Sequence, residues 1–236
     1  LEKTKYEVDD EGIALIQLDR PKALNAIDTE MLRELLVHLE SAKEDPSVRV
    51  VVMSSTDHMA FSAGADIRED LDREGKVERM QLFADLYDSV VGFPKPTLAS
   101  CHGYTVGGGA EIAIGCDIRV GGSNLQMRFP GAELGVPVGP ARLVTLCGLS
   151  AAKYLLIGSQ MVKADEALRI GLVNRLAPGA ATENATIEFA RRIAAFEPEG
   201  VARLKQMLHR WDDIEGRSSD EGKGQVAWQE DGPGLG

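Results

Sequence analysis

The chain has 236 residues, 44% of them apolar and 27% charged, with a formal net charge of −11. That is enough for one large domain, or a domain with a small appendage, and enough to bury a sizeable core. The acidic balance argues against a phosphate-neutralising nucleic-acid surface, and no apolar run approaches the ~20 residues that a membrane-crossing helix needs.

The opening segment, Leu1 to Asp10, is charged and lacks the basic-then-apolar pattern of a signal peptide. Ile13–Leu18 reads as a strand ended by Arg20-Pro21. Asp28 or Thr29 caps a helix with Met31, Leu35, Leu39 and Ala42 at three-to-four spacing, and Asp45-Pro46 stops it. Val48–Met53 is a continuous, β-branched apolar run, as expected of a strand covered on both faces. A polar stretch then leads to Phe61-Ser62-Ala63-Gly64-Ala65-Asp66.

A helical stripe follows over Val77–Val91, carrying Met80, Phe83, Ala84 and Tyr87, and Pro94 and Pro96 break it. Thr97–His102 is a short strand running into Gly103 and the triple glycine Gly107–Gly109. Ala110–Cys116 has the character of a buried helix and Ile118–Val120 of another strand. This alternation predicts an α/β layered fold with buried parallel strands. In the last third, Ala151–Leu156, Ala164–Ile170, Thr182–Ala195 and Pro198–His209 read as helices, with Asp165 as a cap and Gly171 as a left-handed stop. Leu172–Leu176 is strand-like. The tail, Glu215–Gly236, is rich in Gly, Ser and acids and is expected to be mobile unless it docks on a partner.

Three cysteines (Cys101, Cys116, Cys147) with no paired spacing indicate free thiols and a reducing, cytoplasmic setting. The four histidines are scattered, so no metal site is expected. Chemistry is better sought at the two glycine-bearing segments that follow strands, Ala63–Asp66 and Gly107–Glu111, because open α/β sheets place ligands at strand ends. Small residues leave backbone amides approachable there, and a helix beginning near Ala110 adds its positive end. Gly107–Gly109 matches neither a P-loop nor a dinucleotide fingerprint, and Ser62 lacks the flanking glycines of a nucleophile elbow. Read alone, these glycines are also explained by close packing of a helix on a sheet.

Over roughly Tyr6 to His209 the chain resembles the crotonase, or enoyl-CoA hydratase/isomerase, family, through several motifs in the right order. Arg20-Pro21-Lys22-Ala23-Leu24-Asn25-Ala26 resembles its coenzyme A loop, and Phe61–Ile67 its first oxyanion segment. His102–Glu111 resembles the second, continuing into Gly115–Arg119, and Ala164–Ala167 through Gly171–Val173 match its later helix and strand. The resemblance implies a spiral of ββα units over 1–177 for acyl-CoA binding and catalysis, then a helical region over 178–236 that builds homotrimers or hexamers. It implies an acyl-CoA thioester as substrate, with coenzyme A entering as part of it and no separate cofactor. The amides of Ala65 and Gly108 are expected to form an oxyanion hole, with Glu111 as acid or base. Lys22, Ala23, Leu24, Ala63, Asp66, Ile67 and Arg68 are expected along the coenzyme A moiety.

One departure bears on the reaction. Hydratases carry a second catalytic glutamate directly after a proline, whereas Phe129-Pro130-Gly131-Ala132-Glu133-Leu134-Gly135 puts Gly131 in that place. Glu133 is the nearby candidate for a second acid or base, and it is also readable as a surface acid. Val138–Leu143 differs from the family's glycine-rich stretch and implies a reshaped acyl pocket. Three readings are open at this point: hydration of a 2-enoyl-CoA, Δ3,Δ2-isomerisation or other single-base enolate chemistry, and non-catalytic acyl-CoA binding. An RNA-binding role is disfavoured by the acidic charge.

Overall fold

The computed structural model describes residues 2–232 and 234–235. Strands β1 (Thr4–Val8) and β2 (Ile13–Leu18) pair antiparallel. Helix α1 (Thr29–Glu44) begins where the Asp28 carboxylate accepts a bond from the Met31 amide at 3.0 Å. That cap satisfies one of the first-turn amides that helix geometry leaves open. Met31, Leu32, Leu35, Leu39 and Ala42 form its buried stripe.

Three ββα units follow. The first is β3 (Val50–Ser55), β4 (Ala60–Ser62) and α2 (Arg73–Val91), and the second is β5 (Thr97–Cys101), β6 (Tyr104–Val106) and α3 (Gly108–Gly115). The third is β7 (Ile118–Gly122), β8 (Gln126–Arg128) and α4 (Gly131–Leu134). The chain continues through α5 (Pro140–Leu156), β9 (Val162–Lys163), α6 (Ala164–Arg169), β10 (Arg175–Ala177), α7 (Thr182–Ala194), α8 (Pro198–Asp212) and α9 (Ile214–Asp231).

Each unit sends its first strand to a six-stranded sheet of order β1-β2-β3-β5-β7-β10 and its second to a four-stranded sheet of order β4-β6-β8-β9. In the smaller sheet β4, β6 and β8 are parallel neighbours. Their carboxyl ends therefore lie side by side, which brings the segments starting at Ala63, Gly107 and Phe129 to one edge. The larger sheet is parallel from β2 to β10, and β3 is buried along its whole length. Such burial on both faces produces unbroken apolar runs. Ala190 of α7 joins Ile13, Leu15, Val50, Val52 and Leu98 in a buried cluster on this sheet.

Three local expectations are corrected. Asp165 does not cap α6: Lys163, the end of β9, holds the cap position, and Asp165 lies in the first turn. The strand expected over Leu172–Leu176 shortens to Arg175–Ala177, because Gly171, at φ +84°, turns Leu172 and Val173 into the core first. Of the tail expected to be mobile unless it docks on a partner, the part up to Asp231 forms α9, which lies along α2 with Ser218, Gly222 and Gln225 buried, while Pro233 and Gly236 lie outside the described residues. Gly222 permits that approach, since a β-carbon there would lie 3.1 Å from the Ala84 side chain. Among the described residues, no helix is long and apolar enough to cross a membrane.

Candidate active site

Ala65 and Gly108 lie just beyond β4 and β6, at the shared carboxyl edge of the small sheet. The two turns touch: a β-carbon on Gly64 would meet the Gly108 nitrogen at 3.4 Å and the Val106 carbonyl oxygen at 2.8 Å. Gly64 (φ +94°) and Gly107 (φ +51°) both hold backbone conformations that side chains disfavour. The amides on either side of Ala65 and the one that precedes Gly108 are used up. Ala63 donates to the Leu24 carbonyl, Asp66 to that of Ile27 and Gly107 to that of Arg128, while the Gly64 amide bonds Ser62 Oγ. Among the described residues, the amides of Ala65 and Gly108 have no protein acceptor. Gly108 is the first residue of α3, where helix geometry leaves the N–H open and the helix dipole is positive. The third glycine has a packing role, since a β-carbon on Gly109 would lie 2.5 Å from Ser62 Cβ.

Both open amides line a cavity of about 500 Å³. Glu111, one turn into α3, also lines it and is 1% exposed. Its Oε2 accepts from Arg142 Nη2 at 2.7 Å, and its Oε1 has no hydrogen-bond donor among the described residues. Burial raises the carboxyl pKa to about 7; Arg142 opposes that rise and the nearby Glu221 carboxylate adds to it. Glu111 is thus poised between its acid and base forms near neutral pH. Arg142 is itself held by Glu221 at 2.8 Å and lies 5.0 Å from the centre of the Tyr87 ring. Glu221 in turn accepts the amides of Gly139 and Ala141 at 2.9 and 2.7 Å, at the start of α5.

Every residue expected along coenzyme A borders this cavity, but in different states. Lys22 and Arg68 are exposed at its mouth, and Leu24 and Ile67 present apolar surface there. Asp66 is buried, and its carboxylate is already engaged by Arg20 at 3.1 Å and by the Arg68 amide at 3.2 Å. Its side chain ties the loop at Arg20–Ala26 to the first glycine turn, because Arg20 also bonds the Ala26 carbonyl oxygen at 2.5 Å.

Gly131 borders the cavity as well, yet its backbone leaves no room for a side chain: a β-carbon would lie 2.5 Å from the Val136 carbonyl oxygen. Glu133 is not among the lining residues; it is exposed and ion-paired with Arg128. The arrangement therefore offers the buried Glu111 carboxylate, with one oxygen unengaged, beside the open amides of Ala65 and Gly108. Among the described residues no group of three or more His, Cys, Asp or Glu could hold a metal ion.

Sequence reasoning left Arg142, Glu221, Tyr87 and Gln225 without site roles. Arg142 and Glu221 pair across 79 positions of sequence, which no local motif reports. Tyr87 and Gln225 stand on helix faces that look like ordinary packing stripes. The signal for α9 was the spacing of Ser218, Gly222 and Gln225, which repeats every three to four residues within a polar segment.

The Enoyl-CoA hydratase/isomerase family model matches residues 9–220. The chain is 36% identical to the Short-chain-enoyl-CoA hydratase of Clostridium acetobutylicum over 205 residues, covering 84% of this chain and 78% of the relative. It is 34% identical to the Crotonyl-CoA hydratase of Syntrophomonas wolfei over 172 residues, covering 71% and 66% of the two chains. The crystal structure of Enoyl-CoA Hydratase from Bacillus anthracis superposes with a TM-score of 0.86 at 25% identity, covering 97% of this chain and 90% of that one. The chain therefore belongs to the enoyl-CoA hydratase/isomerase family.

Proposed function

We propose that the protein is an enoyl-CoA hydratase-like enzyme that holds an acyl-CoA thioester carbonyl between the amides of Ala65 and Gly108. The observation that carries this reading is the pair of unpartnered amides on touching glycine turns, opening on the same cavity as the buried Glu111 carboxylate. Negative charge that develops on the thioester oxygen would be met by two fixed donors. Removal of one such donor typically costs about 2.7–4 kcal/mol of transition-state stabilisation.

In hydration of a 2-enoyl-CoA, Glu111 accepts a proton from water as the hydroxyl adds to the β-carbon. The electron pair of the double bond moves onto the thioester oxygen as an enolate. The same carboxyl then returns the proton to the α-carbon. A second reading, Δ3,Δ2-isomerisation, is favoured by Gly131, because one carboxylate suffices to move a proton from one carbon of the acyl chain to another. Lys22 and Arg68 are assigned to the coenzyme A phosphates. The exposed apolar face of α8, with Leu204, Leu208 and Trp211 at 62%, 63% and 75% exposure, is assigned to subunit contact in a homotrimer or hexamer. The cysteine usage supports a cytoplasmic setting.

The test is turnover of crotonyl-CoA and of a 3-enoyl-CoA in deuterated water, followed by ultraviolet absorbance and deuterium uptake. Hydration lowers the conjugated absorbance of the first, and isomerisation raises absorbance from the second. Tight thioester binding with neither change would overturn the catalytic reading and leave an acyl-CoA binder.

A further inference from the structure

Gln225 is a polar side chain in the apolar part of the cavity wall. It is 3% exposed, lines the cavity from α9, and its Nε2 donates to the Met80 sulfur at 2.8 Å. Among the described residues its Oε1 has no partner. A thioether is a weak acceptor, so this amide makes one poor bond and leaves a carbonyl oxygen unmatched in a buried place. Buried polar groups are normally paired, and an orphan at a ligand cavity calls for an explanation. Reversing the amide does not relieve it, because an oxygen would then face the lone pairs of the sulfur.

The wall around this oxygen comes from α2 and α9 rather than from the segments at 22–24 and 63–68 expected along coenzyme A. Phe83 and Tyr87 of α2 abut Gly108, where a β-carbon would meet Phe83 Cε1 at 2.8 Å and the Tyr87 hydroxyl at 3.3 Å. Met80 lies on the same helix, roughly 5 Å along the axis from Phe83 and roughly 10 Å from Tyr87 at ~1.5 Å per residue. Gln225, bonded to Met80, is thus set off along α2 from the open Gly108 amide, which Phe83 and Tyr87 abut. The buried cation of the site, Arg142, is matched by two carboxylates, Glu111 and Glu221. Arg142 therefore offers no surplus positive charge to an anionic acyl end, and the other cations of the lining, Lys22 and Arg68, stand at the mouth.

Resting on the proposed acyl-CoA chemistry, we infer that Gln225 reads an uncharged hydrogen-bond donor, a hydroxyl in its simplest form, on the acyl chain of the substrate. Such a group would complete the Oε1 atom, whereas an unsubstituted alkyl chain would bury it unpaired. Sites built around a polar partner discriminate strongly against the analogue that lacks it.

The experiment compares hydroxylated and unsubstituted butenoyl, hexenoyl and octenoyl thioesters of coenzyme A. It reads kcat/KM for each and, in parallel, the Kd of the saturated thioesters. The expected result is a preference of about tenfold or more for one hydroxylated member over its unsubstituted partner, and collapse of that ratio toward one in Gln225→Met. The ratio is internal to each protein, so a general loss of stability in the variant does not mimic it. No preference in kcat/KM or Kd at any chain length overturns the inference. So does a preference that Gln225→Met retains, or one for a keto group in place of the hydroxyl. Absence of turnover with every thioester would instead sink the proposed reaction, and the Kd ratios would still decide the role of Gln225.

Discussion

Arg142 and Glu111 form a buried ion pair, Nη2 to Oε2 at 2.7 Å, with side chains 2% and 1% exposed. Two opposing effects meet on the carboxyl. Burial raises its pKa to about 7, and Arg142 restrains the rise. If Glu111 acts as the base, kcat/KM should rise with pH through about 7 and level off above it. Glu221 adds to the rise, so Glu221→Gln should move this limb to lower pH. A pH profile of kcat/KM reports the free enzyme, and an unmoved limb would show that Glu221 does not act through Glu111. The same elevation has a sign for stability. The folded chain holds this proton more tightly than the unfolded chain, whose value is 4.5. The contribution of Glu111 to stability is therefore greatest below pH 4.5 and declines as pH rises toward 7.

Removing the carboxylate and removing its partner should have different consequences. Glu111→Gln is expected to lower kcat by ~10²–10⁴ with KM little changed, because Arg142 keeps Glu221 as a buried counter-charge. Arg142→Met leaves the Glu111 and Glu221 carboxylates without the cation between them. Breaking a buried pair in this way costs about 3–5 kcal/mol, and the loss should appear in urea unfolding. Retained turnover in Glu111→Gln would place the base elsewhere.

Gly64→Ala tests the meeting of the two turns. The new β-carbon would lie 2.8 Å from the Val106 carbonyl oxygen, at a φ of +94°. The turns must part, which withdraws one donor from the other. The expected outcome is a fall in kcat on the order of 10² and a stability loss of about 1–3 kcal/mol. A variant that loses stability but keeps kcat would show that the two amides do not act together on the reacting oxygen.

The long apolar runs were legible from sequence because their burial is their signal. Ile13–Leu18 is the strand read from its composition, and Asp28, one of the two cap candidates before the stripe, caps α1. The strands β4, β6 and β8 have three residues each, too few to show alternation. Their pairing brings Ala65, Gly108 and Gly131 together, so the site's geometry was visible only through motif resemblance. The link from Glu221 through Arg142 to Glu111 joins α9, α5 and α3, and charge spacing along the chain carries no trace of it. The helical tail is not legible in the sequence because its Gly, Ser and Asp residues oppose helix formation in isolation. Packing of its small residues on α2 overrides that tendency.

Gly131→Glu asks whether a second carboxylate can be restored. The position borders the cavity, but a β-carbon there would meet the Val136 carbonyl oxygen at 2.5 Å, and the Val136 amide already bonds the Gly131 carbonyl at 2.8 Å. The tight turn over these residues must open before any side chain fits. The substitution is therefore expected to cost about 1–3 kcal/mol without raising the hydration rate of crotonyl-CoA. Glu133→Gln is the matching control: its carboxylate is 53% exposed and paired with Arg128, so kinetics should stay constant and stability should shift by about 0–1 kcal/mol. Faster hydration in Gly131→Glu would show that the turn admits a working second carboxylate, and lost turnover in Glu133→Gln would show that the reaction already uses one.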